Sequence, residues 1–181
     1  VEAIAASPEN IANKVEVLSK LLDNSNRIVI THASACIRQL PRTELFRDSS
    51  IHLKVGDTIP LDTLKRKLIQ SGYSQVSHID TPLCFAARGG VLDFYSMNYD
   101  NPIRIEFFDT EIERLCFFDI QTQRSLESVE EVVCIPATDI LFSDEDVKHI
   151  KEKVETILKD SKDDALISKI DIDIQYLENH I

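Results

Sequence analysis

The stretch from Cys84 to Asp119, CFAARGGVLDFYSMNYDNPIRIEFFDTEIERLCFFD, constrains this chain most. Strand-forming residues recur in short runs, and turn residues interrupt them at Asn98–Pro102 and at Asp109-Thr110. Connections this short join antiparallel neighbours. Four strands are predicted, at about 83–88, 90–96, 102–108 and 111–118. Arginines stand in these strands where a fully buried sheet carries apolar groups, so the ribbon displays a polar and aromatic face.

Period-two alternation sorts the third strand. Ile103, Ile105 and Phe107 share one face and Arg104, Glu106 and Phe108 the other. If the first set is core, Phe108 is exposed or half-exposed beside two charges. Arginine and aromatic residues are enriched at binding hot spots. The plain structural alternative stays open at this point: Phe108 tucks under a neighbouring strand, and Arg104 pairs with Glu106 or Glu111. Arg88-Gly89-Gly90 reads as a bulge or a close backbone approach, and parity does not assign Arg88 to a face.

Around the ribbon, Ser7-Pro8-Glu9 opens a helix, with a serine cap and proline at the first helical position. Ile11, Val15, Leu18 and Leu22 carry its stripe, and Asp23-Asn24-Ser25-Asn26 end it. Arg27 to Thr31 is a nearly all-apolar run, predicted as a strand buried on both faces. Helix followed by strand suggests part of an α/β, nucleotide-binding-type domain, yet the four glycines form no phosphate-binding loop. Ile51 to Val55 alternates as a strand. Leu61, Leu64, Leu68 and Ile69 mark a helix closed by Ser71-Gly72. Ser74 to Ile79 is a possible strand, Leu126 to Ile135 a single polar one. Helices are predicted from Ser143 and over 164–178. The division expected is residues 1–40 as a partial, degenerate motor-like segment, 41–142 as the ribbon domain, and 143–181 as a helical segment returning to the α/β part. The fold class is α+β.

Charge bounds the function. Residues 1–80 carry a net +1, residues 81–142 a net −7 and residues 143–181 a net −5, summing to −11. Such a surface repels a phosphate backbone, which argues against direct DNA binding by this segment. No apolar run approaches the roughly 18 to 20 residues that span a bilayer. The start lacks the basic and apolar regions of a secretory leader, and the chain opens without Met, as a piece of a longer protein would. A cytoplasmic setting is expected, with Cys36, Cys84, Cys116 and Cys134 as free thiols. The five histidines show no metal-ligand spacing. Asp93, Glu106, Asp109, Glu111 and Glu113 read as solvated turn and strand-edge acids, with no nucleophile–histidine pair beside them. No catalytic residue, metal or cofactor is predicted.

These residues resemble a known family. R-G-G-V-L-D-F-Y at 88–95, P-I-R-I-E-F-F-D-T-E-I-E at 102–113 and F-D-I-Q-T-Q-R-S-L at 118–126 are similar to the UvrB-homology module. That module is shared by the excision-repair protein UvrB and bacterial transcription-repair coupling factors. R-I-V-I-T, C-I-R-Q-L-P, V-G-D-T-I-P-L-D-T-L and L-I-Q-S-G-Y extend the likeness over roughly residues 10–140. Gly56-Asp57, Gly72-Tyr73 and Thr122-Gln123-Arg124-Ser125 match the coupling-factor pattern. UvrB-like chains usually carry R-G-D where this chain has R-G-G. Tyr95-Ser96 departs from the family's frequent phenylalanine-proline.

The resemblance implies a fold like UvrB domain 2 that docks UvrA through Arg88, Arg104 and Phe108, with Glu106 at the rim. It implies a longer ATP-dependent DNA translocase that meets RNA polymerase and DNA through other domains and masks the UvrA surface at rest. No membrane partner is implied. Two other readings remain at this stage: the corresponding domain of UvrB, a damage-loading helicase component, and a small enzyme with an unrecognised site.

Overall fold

The computed structural model describes residues 8–22, 25–32, 40–158 and 164–178. The chain divides into two compact units, Val1–Ile140 and Leu141–Ile181. Ser7, Asp23, Asn24 and Cys36 lie outside the described residues.

In the first unit, α1 (Pro8–Leu21) begins at its proline, whose missing N–H is no loss in a first helical turn. Ala12 and Val15 are its buried positions. A short helix that the sequence did not signal, α2 (Thr43–Asp48), is anchored by buried Phe46. β1 (Ile51–Lys54) follows, then α3 (Leu61–Gln70), which buries Leu64 and Leu68.

A six-stranded sheet takes the order β2-β3-β4-β5-β6-β7. Its strands are β2 (Ser74–Gln75), β3 (Cys84–Arg88), β4 (Val91–Phe94), β5 (Ile103–Phe108), β6 (Glu111–Phe118) and β7 (Ser125–Val129). β2 runs parallel to β3, and every other pair is antiparallel. β8 (Glu131–Cys134) pairs with β1 in a separate two-stranded sheet.

The main core forms on one face of the large sheet. Phe85, Leu92, Phe94, Ile103, Ile105, Ile112 and Leu115 pack there with Leu64, Leu68, Ile51, Leu53 and Cys134. Each such side chain contributes about 1.5–3 kcal/mol by leaving water. A slip of one residue in β5 would turn Ile103 and Ile105 to the other face, so this burial fixes the register.

Four sequence expectations are corrected. Residues 27–31 form no strand: Ile28 and Ile30 are each 93% exposed. A strand buried on both faces needs flanking strands, and among the described residues none pairs with it. The strand expected over 74–79 is only two residues long, because the chain leaves β3 after Val76, whose N–H still donates to the Phe85 carbonyl at 2.9 Å, and packs Val76 and Ile79 on the sheet's second face. The single strand expected over 126–135 is two, β7 and β8, since Glu130 breaks the run and its carbonyl accepts from the Val55 N–H at 2.9 Å. Gly89-Gly90 is not a bulge within a strand. It is the two-residue turn joining β3 to β4, with Arg88 opposite Val91. Gly89 takes a φ of +56°, the left-handed value a hairpin turn of this kind requires at its first central residue. The close backbone approach is present at Gly90, where an added Cβ would lie 3.2 Å from the Phe107 carbonyl oxygen.

The second unit contains α4 (Asp144–Leu158) and α5 (Asp164–Glu178), which pack on one another. Ser143 caps α4: its Oγ accepts from the Asp146 N–H at 3.3 Å, and its own N–H donates to Asp146 Oδ2 at 2.8 Å. No helix among the described residues is long and apolar enough to cross a membrane.

Candidate functional site

The second face of the sheet carries the polar and aromatic display. Directly paired residues of antiparallel strands share a face. One row across β3, β4, β5 and β6 reads Arg88, Val91, Glu106, Arg114. The next row reads Ala86, Asp93, Arg104, Cys116. Arg88 and Arg104 therefore lie on the same face, on adjacent rows. With His78, Val91, Asp93 and Gln123 they line a pocket of about 340 Å³.

One end of this face is covered. Ile79, Ala86 and Phe118 form a small second core, with Val76, Cys84 and Tyr95 packed against it. The crossover from β2 to β3 supplies Val76 and Ile79, and His78 sits between them at the pocket. The other end, around Val91, Glu106 and Phe108, is open.

Arg104 is held on three sides. Its Nε donates to Asp93 Oδ1 at 2.8 Å and its Nη2 to Asp93 Oδ2 at 2.9 Å. Its Nη1 donates to the Gln123 carbonyl at 3.3 Å. Its guanidinium carbon stands 4.5 Å from the centre of the buried Phe118 ring. The bond to Asp93 is the main reason its pKa is raised, so the charge is permanent. The pairing of Arg104 with Glu106 or Glu111, left open by the sequence, is not what the structure shows. Asp93 stands directly across the strand pair, in closer register than either.

Glu106 instead accepts from Arg114 Nη1 at 3.3 Å, and Arg114 also donates to Ser128 Oγ. Phe108 is 73% exposed. The irregularity between β5 and β6 explains why alternation still places it outward. Glu106 pairs with Arg114 and Phe107 with Ile112, so Glu113 is the extra residue and β5 keeps its parity. Phe107 packs on the main core. The hairpin tip carrying Phe108 is tied down from the side, since Ile59 N–H donates to the Thr110 carbonyl at 2.8 Å and Ile112 N–H to that of Asp57 at 2.9 Å.

All four candidate residues, Arg88, Arg104, Glu106 and Phe108, thus occupy one face. Arg88, Arg104 and Arg114 are also three of the four basic residues in the acidic segment 81–142. The face sets these three arginines among Asp93, Glu106 and Glu111, two of them ion-paired, and bears one exposed aromatic ring. Sequence reasoning misses Asp93, which it groups with solvated acids. Asp93 is only 9% exposed. The signal is a charge interrupting the apolar run Val91–Phe94, a position an acid holds only when paired. Gln123 and His78 also escape it, because they come from segments outside the ribbon, and so does Phe118, which follows the extra residue Glu113 that resets the alternation of β6.

A family model described as the UvrB interaction domain matches residues 51–140. The transcription-repair-coupling factor of Bacillus subtilis (strain 168) is 32% identical over 155 residues, 86% of this chain. That of Staphylococcus haemolyticus is 35% identical over 153 residues, 83% of this chain. That of Staphylococcus aureus (strain bovine RF122 / ET3-1) is 33% identical over 159 residues, 86% of this chain. The chain spans 13% of the length of each of these relatives.

Proposed function

Residues 51–140 belong to the UvrB interaction domain family, within a chain related over most of its length to transcription-repair-coupling factors, and from that premise we propose that this segment is a non-catalytic docking module that recruits UvrA. The observation that carries the reading is the shared face of Arg88, Arg104, Glu106 and Phe108. Two arginines and an exposed ring on a rigid sheet supply a charged hydrogen-bonding pair beside an apolar anchor, the combination that dominates protein interfaces. The fold holds the Arg104 guanidinium in place before contact, so that side chain has little ordering entropy left to lose on association. ATP use, DNA translocation and engagement of RNA polymerase are proposed for the longer protein, through parts outside this segment. The relatives named above are coupling factors, which favours that setting over UvrB itself.

Competition tests the proposal. Purified chain is added to a preformed complex of UvrA with labelled UvrB, which carries the same module. Displacement of UvrB in a saturable, stoichiometric manner is expected. Failure of the chain to bind UvrA at all contradicts the proposal.

A further inference from the structure

Given the docking role proposed above, we infer that Asp93 is a positioning residue of the face: it fixes the Arg104 guanidinium in the orientation that meets the partner, and acts on binding only through Arg104. Both Asp93 oxygens are engaged by Arg104, at 2.8 and 2.9 Å. Its side chain is 12% exposed, against 21% for that of Arg104. Asp93 therefore has little to offer a partner directly.

What it does is geometric. A guanidinium has five N–H donors in a fixed plane. Three are used inside the fold, two by Asp93 and one by the Gln123 carbonyl, and the plane is backed by Phe118. Five less three leaves two N–H groups, pointing where the fold aims them. An unconstrained arginine surrenders rotamer freedom on docking, and one already clamped does not. A competing effect has the opposite sign. The carboxylate also neutralises the Arg104 charge, so if charge alone mattered, removing it would tighten binding to an acceptor-bearing partner. Planar, bidentate recognition depends on angle as well as charge, and the three-sided cradle marks orientation as the stronger effect.

The test is a double-mutant cycle on the 181-residue chain. UvrA affinity is measured for Asp93→Asn, Arg104→Lys and the double variant, with Phe108→Ala alongside and melting curves for each. Asp93→Asn is isosteric and keeps an acceptor for Nε. It is expected to weaken binding about tenfold in the wild-type background and by less than about twofold when Arg104 is already lysine. Unchanged or tighter binding by Asp93→Asn, or an equal loss in both backgrounds, overturns the inference. Loss in Phe108→Ala with none in Asp93→Asn leaves the docking reading standing and removes the positioning role; no loss in either removes both. A second readout needs no variant. The Arg104 Nε–H resonance of the free wild-type chain should be sharp and slow to exchange at neutral pH, and its absence under those conditions also overturns the inference.

Discussion

The guanidinium of Arg104 lies over Phe118 with its carbon 4.5 Å from the ring centre, and so seals the small core on the sheet's second face. Arg104→Ala consequently damages the fold as well as the surface. It orphans Asp93 and uncovers Phe118. Orphaning one member of a buried pair costs about 3–5 kcal/mol; solvent still reaches this pair, and roughly 2 kcal/mol is expected here. Urea unfolding checks it. Arg104→Met with Asp93→Leu should be less destabilised than Arg104→Ala, because no charge is left behind.

Alkaline pH should destabilise the first unit. Burial pushes the Cys134 thiol up to about 12, from 9.0. Burial likewise raises Tyr73, whose hydroxyl donates to the Ile135 carbonyl at 2.7 Å. A folded pKa above the unfolded one gives stability that is complete below the unfolded value and lost as pH climbs toward the folded value. Cys134 alone lowers stability by about 1.4 kcal/mol per pH unit once pH passes 9.0. Denaturant midpoints at pH 8, 9 and 10 measure this. At pH 8 the native Cys134 thiol should resist a maleimide reagent that labels it after unfolding.

At Gly89, where φ is +56° and a Cβ would meet no atom within 4 Å, substitution tests backbone strain alone. Gly89→Ala should cost about 1 kcal/mol. Gly89→Pro should cost more than Gly89→Ala, because proline fixes φ near −65°. Urea midpoints of the two variants make the comparison. Equal costs would mean that the turn is not held at this φ in solution.

Salt should weaken docking through its electrostatic part. Arg88 is an exposed cation and Arg114 a half-exposed one, on an otherwise acidic segment. Raising ionic strength shortens the screening length from about 10 Å at 0.1 M to about 3 Å at 1 M. The association rate with UvrA should fall and the dissociation rate change little. Arg88→Ala should flatten the salt dependence. Stopped-flow or surface-based kinetics at several salt concentrations decide it.

Much of this arrangement is legible in the sequence because local rules control it. The turns at Asn98–Pro102 and Asp109-Thr110 delimit β5, and alternation then places Arg104, Glu106 and Phe108 together. Arg88 is not assignable from sequence, since its face depends on how β3 pairs through the Gly89-Gly90 turn, and strand pairing is not local. Asp93 is hidden for the same reason: the register across β4 and β5 makes it the partner of Arg104. Residues 27–31 fail differently. Their apolar pattern is strand-like, but a strand requires neighbours, and among the described residues none is supplied.

Phe108→Ala tests the central claim most directly. The ring is 73% exposed and its strand is anchored through other residues, so stability should change by less than about 0.5 kcal/mol. Affinity for UvrA should nevertheless fall by about 2 kcal/mol, close to thirtyfold, as for an aromatic anchor at an interface centre. A folded Phe108→Ala chain that binds UvrA as tightly as wild type would contradict the account.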